Sequence, residues 1–369
     1  MQAPLLAAIS LAPTGGGIAG VARLMWRALR ARWEGARLTT LVDGVRCLPS
    51  FGDKARFALT LAGDQVLRRA DGVIFDHLAL ARVEAGIPSR LRVPYAVFVH
   101  GVEVWRPLSR RERRVLAGAQ VRMANSHYTA NRTMEMHPDI GEVAACPLAL
   151  SDVPHCVDDA AGVTAASGLP PLGSHVVLIV GRMSASERYK GHDQLLAAWP
   201  AVLAAVPDAQ LVVVGQGDDQ PRLRRAAARV AGGARIVFTG FVDDDVLDAL
   251  YRQAAVFALP SRGEGFGLVY LEAMARRVPC IGSVHDAARE VIVDGQTGTL
   301  VDQDRNGDLA EAIVALLRDE TLRRRMGDAG YRRVVETFGF DRFADRLCGL
   351  VAGLGGPVVA GSRYREMGA

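Results

Sequence analysis

Short apolar segments alternate with amphipathic helical segments along nearly the whole chain, and this alternation restricts the fold more than any other feature of the sequence. Six apolar segments in the front half and six in the back half have the residue types of buried strands. They are predicted at Leu5–Ala12, Leu38–Asp43, Gly72–Phe75, Tyr95–His100, Gln120–Ala124, Val143–Ala145, Val176–Val180, Gln210–Val214, Arg235–Thr239, Val256–Leu259, Pro279–Gly282 and Gly298–Val301. Strands separated by helices form parallel sheets with helices on both faces. The sequence therefore predicts an α/β fold of two doubly wound, Rossmann-like domains that face each other across a cleft.

The length of 369 residues fits two domains at about 150 residues each. Residues 161–174 are rich in Gly, Pro and Ser and lack periodicity, which indicates a linker. We therefore place the first domain at residues 1–165 and the second at residues 166–341. Ligands of doubly wound sheets bind at the carboxyl ends of the strands. Because polar or glycine residues follow nearly every predicted strand, we expect the functional site at those ends.

Charge is unevenly distributed between the two halves. Residues 1–150 carry 20 Lys and Arg against 12 Asp and Glu, a net charge of +8, whereas the remaining residues have a net charge of −4. A basic half suits an anionic partner such as lipid headgroups, phosphates or nucleic acid, and a solvated arginine-rich surface explains it equally well. Nucleic acid is disfavoured because the chain shows no recognised binding module.

Two basic helical segments in the front half favour the lipid alternative. They consist of Arg23, Arg27 and Arg30 beside Trp26 and Trp33, and of Arg110, Arg111, Arg113 and Arg114 after the capping-box pair Ser109 and Glu112. Basic residues flanked by tryptophan suit an anionic membrane surface. Solvated arginines with tryptophans packed inside the domain remain the alternative.

The five cysteines are odd in number and scattered, and none forms a CxxC pair. This pattern is typical of the reducing cytosol and argues against a disulfide framework or a zinc site. No segment reaches the ~20 apolar residues of a membrane span. We therefore expect a cytoplasmic protein that can bind the inner face of the membrane peripherally.

A glycine loop offers one hypothesis about function. Gly15–Gly20 matches GxGxxG between a predicted strand and a helix, and Asp43 ends the next strand. This pattern is typical of a dinucleotide site, so an NAD-dependent oxidoreductase is one hypothesis. Another phosphate ligand, or merely a tight turn, would favour the same glycines.

The segment at residues 255–277 carries a second hypothesis. Glu264 lies between two glycines just before a predicted helix that begins near Gly267, and Glu272 lies a little over one turn into that helix. Carboxylates accept hydrogen bonds from sugar hydroxyls, and backbone amides at residues 265–268 suit further oxygens or a phosphate. Taken singly, Glu264 also fits a charge favoured by the helix dipole, and Glu272 a solvated carboxylate.

Two acidic runs could suggest a metal site. Asp218-Asp219 follows a predicted strand, and Asp243–Asp245 precedes an apolar helix start at residues 246–251. The second run is better explained as a helix N-cap. We predict no catalytic metal and no bound cofactor.

The segment at residues 255–277 resembles the Glu-x7-Glu signature of retaining glycosyltransferases of family 4, which have the GT-B fold. The resemblance continues in the family's order over residues 176–318, through segments that include Gly181-Arg182, Glu187–Gly191, Val212–Gly215, Phe238–Phe241 and Val291–Gly298. The front half resembles the family more loosely at Gly15–Gly17, His100–Trp105 and Asn125-Ser126. The resemblance implies a GT-B enzyme of bacterial cell-surface polysaccharide or glycolipid synthesis.

The resemblance assigns the donor site mainly to the back half. Arg182 and Lys190 match the basic pair on the donor diphosphate, Glu272 the residue on the ribose, and Glu264 the residue on the sugar. Further donor contacts are implied for Gly16, Gly17, Gly215, Phe241, Gly265, Phe266, Gly267 and Leu268.

His100 matches a catalytic family histidine near the sugar, and Glu103 and Asn125 match residues on the acceptor side. A histidine satisfied within a turn is the alternative for His100. The resemblance also implies that the tail beyond about residue 342 packs back on the first domain.

The implied reaction transfers a sugar from a UDP- or GDP-sugar to a saccharide or lipid-linked acceptor, with retention of configuration and without a metal. Because the sequence places no carboxylate clearly as a nucleophile, we expect a front-face substitution. A catalytically idle nucleotide-sugar binder is the remaining alternative, which the intact Glu264, Glu272, Arg182 and Lys190 argue against.

Overall fold

The computed structural model describes residues 1–12, 16–42, 49–151 and 160–354. It divides into two compact units. Unit 1 contains Met1–Asn125, Thr129–Cys146 and the chain from Phe343 onward, and unit 2 contains Ser126–Tyr128 and Pro147–Arg342. Each unit has one six-stranded sheet in its described residues, and every strand pairing is parallel. The predicted α/β class is confirmed.

The sheet of unit 1 has the strand order β2-β1-β3-β4-β5-β6. Its strands are β1 Pro4–Ala8, β2 Arg37–Thr40, β3 Gly72–Phe75, β4 Tyr95–Val99, β5 Val121–Ala124 and β6 Ala144–Ala145. The strand order reverses direction between β1 and β3, and ligands bind at such switch points in doubly wound sheets.

Helices connect the strands of unit 1. They are α1 Gly16–Arg32, α2 Phe51–Val66, α3 Leu78–Ala81, α4 Arg110–Gly118 and α5 His127–Met136. The first two residues of α5 belong to unit 2. The predicted cap of α4 is confirmed, since Ser109 and Glu112 form a reciprocal capping box.

The sheet of unit 2 has the order β12-β11-β10-β7-β8-β9. Its strands are β7 Val176–Val180, β8 Gln210–Val214, β9 Ile236–Gly240, β10 Val256–Ala258, β11 Cys280–Ser283 and β12 Gly298–Val301. Its helices are α6 Ala160–Ala166, α7 His192–Ala205, α8 Gln220–Ala227, α9 Asp244–Gln253, α10 Leu268–Met274, α11 Ala288–Val291, α12 Asp308–Arg318 and α13 Glu320–Thr337. Helix α14, Phe340–Val351, begins in unit 2 and continues in unit 1 from Phe343.

Continuous apolar runs form the central strands because both faces of a parallel sheet are covered by helices. β1, β3 and β4 are buried at every position, and so are β10 and β11. The helices cover the sheets with one apolar face. In α1 that face includes Val21, Ala22, Met25, Ala28 and Leu29, all buried, while the arginines of the same helix are exposed.

The predicted linker at residues 161–174 is wrong in its first part, where α6 forms. The Gln253 amide donates hydrogen bonds to the Ala160 carbonyl at 2.7 Å and to the Thr164 hydroxyl at 2.8 Å. These contacts fix an alanine-rich segment on α9, so tertiary packing overrides a composition typical of linkers. The long segment of unit 2 begins at Pro147, about 20 residues before the boundary predicted from that composition, and ends at Arg342.

The tail after residue 342 belongs to unit 1 as far as it is described. Cys348 lies against the Ala28 carbonyl of α1, and the Gln120 amide donates to the Gly353 carbonyl at 3.3 Å. Gly15 and Asp43, on which the dinucleotide hypothesis depends, lie outside the described residues.

Candidate functional site

The turn between β7 and α7 carries the two predicted basic residues and packs closely on its neighbours. Gly215, at φ +123°, lies so close to this turn that a Cβ there would be 2.1 Å from the Gly181 carbonyl oxygen. A Cβ on Gly191, at φ +91°, would be 2.4 Å from the Pro260 carbonyl oxygen. Only glycine allows these backbone contacts, which fix the two ends of the turn.

Two acidic residues clamp the same turn. Asp218 Oδ1 accepts a hydrogen bond from the Ala185 amide at 2.9 Å. The buried Asp219 accepts from Arg188 Nε at 3.0 Å and from Arg222, and these hydrogen bonds hold its pKa far below the usual range. The Asp218-Asp219 run therefore holds the turn in place.

The side chains of the turn form a charged cluster with Glu264. Arg182, which is largely exposed, lies 2.5 Å from Glu187 Oε1, and Lys190 Nζ lies 3.2 Å from Glu264 Oε2. The phenol of Tyr189 lies within the influence of all four charged side chains, those of Arg182, Glu187, Lys190 and Glu264. Burial is the main reason that the pKa of Tyr189 is raised to about 12. We call Arg182, Glu187, Tyr189, Lys190 and Glu264 the charged cluster.

Burial alone would lower the pKa of Lys190, but the charge of Glu264, followed by Tyr189 and Glu187, raises it above its ordinary value. Lys190 is therefore a cation at neutral pH, in a position where little water competes with an anion for it.

Glu264 lies in the loop after β10, and its backbone is held on both sides. Its amide donates to Asp286 Oδ2 at 3.0 Å, and its carbonyl accepts from the Ala287 amide at 3.2 Å. The neighbouring Gly265 carbonyl accepts from the Ser126 hydroxyl at 2.6 Å. These hydrogen bonds fix the loop backbone that carries the Glu264 side chain.

The residues between Glu264 and α10 are buried. The Phe266 ring packs edge-on against Phe338, with centroids 5.7 Å apart. Gly267 has φ +90°, and a Cβ there would meet the Tyr270 ring and lie 3.2 Å from Glu264 Cγ. Helix α10 then begins at Leu268, as predicted to within a residue.

Glu272 lies in a second group, on the α9 side of α10. The Tyr251 hydroxyl donates to Glu272 Oε2 at 2.8 Å, and Arg276 donates to the Glu272 carbonyl at 2.8 Å. Burial raises the pKa of the Glu272 carboxyl, against the lowering effect of the Tyr251 hydrogen bond. Phe241, just after β9, is 60% exposed.

The predicted residues of unit 1 lie at the ends of β4 and β5. His100 Nε2 lies 2.7 Å from the Asp76 carbonyl oxygen, and its backbone amide donates to Glu103 Oε1 at 2.5 Å. The Asn125 amide group donates to the His100 carbonyl at 2.9 Å, while its buried Oδ1 accepts no hydrogen bond from the described residues. The structure thus brings His100, Glu103 and Asn125 together.

Asp76 and His77 complete this group at the end of β3, and sequence reasoning missed both. Both carboxylate oxygens of the fully buried Asp76 accept from the Ile9 amide, and burial raises its pKa to about 8. The ring of His77 stacks on that of His100 with centroids 5.8 Å apart, and burial lowers its pKa to about 4. The sequence held one signal for these two residues, since both directly follow a predicted strand.

Gly16 and Gly17 form the exposed start of α1. Gly16 has φ +69°, and among the described residues no atom lies within 4 Å of a Cβ placed on either glycine.

The acidic run before α9 caps that helix as predicted, with Asp243 Oδ1 accepting from the Val246 amide at 3.2 Å. Among the described residues, His285, Asp302 and Asp304 form a group of metal-ligand type. His285 Nε2 lies 2.8 Å from Asp302 Oδ1, and Arg262 forms an ion pair with Asp304.

Solved structures with the same architecture cover nearly the whole chain. Sucrose-phosphate synthase from Thermosynechococcus elongatus superposes with a TM-score of 0.78 at 22% identity, over 96% of this chain and 99% of that chain. HepE from Anabaena, solved in complex with UDP-glucose, gives a TM-score of 0.77 at 18% identity, over 95% and 100%. The protein has the GT-B fold, that of the glycosyltransferases built from two Rossmann-like units.

The family comparison concerns unit 2. Residues 165–333, a little less than half of the chain, match the profile described as glycosyl transferases group 1. The predicted resemblance is confirmed.

Curated relatives match about half of this chain. A phosphatidyl-myo-inositol mannosyltransferase from Mycobacterium leprae is 40% identical over 179 residues, 48% of this chain and 46% of the relative. A GDP-mannose-dependent alpha-(1-6)-phosphatidylinositol monomannoside mannosyltransferase from Mycolicibacterium smegmatis is 34% identical over 44% and 45%. The chain thus spans about half the length of the curated relatives it matches.

In the part of the chain that the structure describes, no helix combines the length and apolarity needed to cross a membrane.

Proposed function

We propose that the protein is a glycosyltransferase that moves a hexose from a nucleotide-diphosphate sugar to a saccharide or lipid-linked acceptor, with the donor bound by unit 2. The observation that carries the proposal is the charged cluster. It contains two cations in the turn after β7, Arg182 and Lys190, and Lys190 pairs with the carboxylate of Glu264 from the loop after the adjacent strand β10.

The charges of the cluster suit a sugar diphosphate. An incoming diphosphate would replace Glu187 as the partner of Arg182 and share Lys190 with Glu264. Two cations at the leaving group stabilise the negative charge that develops as the glycosidic bond breaks. Glu264 would then accept hydrogen bonds from sugar hydroxyls, and Glu272, oriented by Tyr251, those from the ribose.

The reaction proposed is front-face substitution with retention. The bond from the anomeric carbon to the phosphate oxygen breaks, that oxygen takes the acceptor proton, and the acceptor oxygen bonds to the same face. Glu264 positions the sugar and does not attack it. In unit 1, the residues that we propose to contact the substrates are His100, Glu103, Asn125, Gly16 and Gly17.

Metal independence is part of the proposal, because Arg182 and Lys190 supply the positive charge that a metal would otherwise provide. The donor we favour is GDP-mannose and the acceptor a phosphatidylinositol-type glycolipid. Both choices are supported by the relatives described above, a phosphatidyl-myo-inositol mannosyltransferase and a GDP-mannose-dependent phosphatidylinositol monomannoside mannosyltransferase, each of which matches nearly half of this chain.

A lipid-linked acceptor calls for contact with an anionic membrane surface, which we assign to unit 1 at the cytoplasmic face. Helix α2 supports this more strongly than the helices predicted for it. Its Phe51 is 87% exposed and Leu59 is 74% exposed. Exposed cations flank these apolar side chains: Lys54, Arg56, Arg68 and Arg69. Arginines of both helices have carboxylate partners: Arg113 of α4 lies 2.7 Å from Asp139, and Arg56 of α2 lies 4.0 Å from Asp53.

The experiment combines a donor panel with an acceptor test. Purified protein is incubated with GDP-mannose, UDP-glucose or UDP-N-acetylglucosamine, with and without phosphatidylinositol vesicles, in EDTA. We expect release of the nucleoside diphosphate and a lipid product with the donor's anomeric configuration. Turnover that needs an added divalent cation would contradict metal independence. Absence of turnover and of binding with every donor would contradict the function.

Vesicle sedimentation tests the membrane component. The double variant Phe51→Ser/Leu59→Ser should lose binding to anionic vesicles, while Val335→Ser, which removes an exposed apolar residue of unit 2, should bind like the unaltered protein. Equal binding by all three proteins would contradict the role of α2.

An NAD-dependent oxidoreductase remains the weaker candidate, since the family and the fold relatives give it no support. Binding of NADH in the same donor panel would favour it.

A further inference from the structure

Asp286 is a carboxylate behind the donor loop that neither the sequence motifs nor the proposed chemistry uses. It follows β11, the strand that pairs with β10, so its side chain lies beside the loop that begins after β10. The residue is fully buried. A carboxylate in such a position is costly unless several donors satisfy it.

Three donors from two segments satisfy the Asp286 carboxylate. Oδ2 accepts from the Glu264 amide at 3.0 Å, Oδ1 accepts from the Ala288 amide at 3.0 Å, and the Ser261 hydroxyl also bonds to it. In return, the Glu264 carbonyl accepts from the Ala287 amide at 3.2 Å. The backbone of Glu264 is therefore held on both its donor and its acceptor group.

Lys190 and Asp286 contact different parts of Glu264. Lys190 contacts the side chain, whereas Asp286 contacts only the backbone. A backbone fixed at both groups determines the direction in which the Cα–Cβ bond leaves the loop. Displacements near 1 Å of a group that positions substrate can cost about 100-fold in rate.

We propose that Asp286 is a positioning residue for the transfer reaction: its buried carboxylate fixes the Glu264 backbone and thereby the direction of the Glu264 side chain. The inference rests on the proposed function. Asp286 itself touches neither substrate nor reacting atoms. Burial raises the pKa of this carboxyl to about 7, and the nearby charge of Glu264 adds to the increase.

The test is a double-mutant cycle between Asp286→Asn and Glu264→Gln, measured as kcat, donor KM and the dissociation constant of the nucleoside diphosphate. Asn keeps the shape of Asp but has one acceptor oxygen in place of two, so one backbone amide loses its partner. We expect Asp286→Asn to lower kcat about 10- to 100-fold and to change nucleoside diphosphate affinity less than about 3-fold.

In the Glu264→Gln background, the Asp286 substitution should have little further effect, because it acts through Glu264. Independent, multiplicative losses in the double variant would show that Asp286 acts by another route and would overturn the inference. So would an Asp286→Asn variant with unaltered kcat.

Two further variants keep the test decisive. Asp302→Asn is the matched control, since it removes one acceptor oxygen from a carboxylate that pairs with His285 instead, and its kcat should stay unchanged. If Asp286→Asn does not fold, Ser261→Ala replaces it in the cycle, with an expected loss of about 3-fold in kcat that also disappears in the Glu264→Gln background. An inactive parent enzyme would instead refute the proposed function, and the inference with it.

Discussion

Lys190 Nζ lies 3.2 Å from Glu264 Oε2, and both side chains are more than four-fifths buried. This ion pair joins the turn after β7 to the loop after β10, two segments that are 74 residues apart in the sequence. Because β7 and β10 are paired neighbours, the fold itself brings the two loops together. The pair thus connects the residue proposed for the diphosphate with the residue proposed for the sugar.

Replacing Lys190 by Ala should weaken the binding of GDP or UDP about 10- to 100-fold, because a charge-assisted hydrogen bond contributes roughly 1.5–3 kcal/mol. Isothermal titration calorimetry measures this directly. The matched control is Arg262→Ala, which removes an exposed cation of the loop after β10 that pairs with Asp304. Equal losses in the two variants would mean that general charge, and not Lys190, binds the diphosphate.

Replacing Glu264 by Gln should lower kcat by about 100- to 1,000-fold, the range seen when one preorganised transition-state contact is removed. Nucleoside diphosphate binding should persist, since Arg182 and Lys190 remain in place. Steady-state kinetics and calorimetry on the same preparation separate the two effects. Loss of nucleotide affinity with normal turnover would reverse the assigned role.

Replacing Gly215 by Ala should destabilise unit 2 by about 2–5 kcal/mol, because the new Cβ would overlap the Gly181 carbonyl in a strained backbone conformation. Thermal or urea unfolding measures the change. Gly63→Ala is the control, since a Cβ there meets no atom within 4 Å, and alanine within α2 should stabilise by about 0.5–1 kcal/mol. Comparable stability of both variants would argue against the close backbone contact.

Replacing Asp76 by Asn should change how stability depends on pH. The pKa of Asp76 is about 8 in the folded protein and 3.8 in the unfolded chain, so the folded state binds the extra proton between these values. Its contribution to the free energy of unfolding is therefore present at low pH and is lost as pH rises from about 4 to 8. The variant's stability relative to the unaltered protein should rise by up to about 1.4 kcal/mol per pH unit in that window.

Urea unfolding at pH 5, 6, 7 and 8 gives this difference for the two proteins. His77 and His192, whose pKa values are lowered by burial, have the opposite slope below pH 6.5, but they are common to both proteins and cancel. A difference independent of pH would show that Asp76 does not carry a raised pKa.

The strands could be predicted because continuous apolar runs between amphipathic segments determine where buried parallel strands lie. All twelve predicted strands have a counterpart within a few residues. The helix at residues 160–166 could not be predicted, because its alanine-rich sequence is held on α9 by hydrogen bonds from Gln253, which is about 90 residues further along the chain.

The candidate site was predictable where a residue's role is local. Asp243 as an N-cap and Glu264 between two glycines are visible in the sequence itself. Glu187, Tyr251 and Asp286 were not singled out, because what they do depends on partners that only folding brings close. Asp286 lies 22 residues from Glu264, and no sequence spacing indicates that its carboxylate meets that backbone amide.

A crystal structure of the protein with GDP-mannose or its non-hydrolysable analogue measures the central relationship directly. We predict diphosphate oxygens at hydrogen-bonding distance, about 3 Å, from Arg182 and Lys190, with the hexose against Glu264. A nucleotide bound solely at the Gly16-Gly17 turn of unit 1, without contact to Arg182 or Lys190, would contradict it.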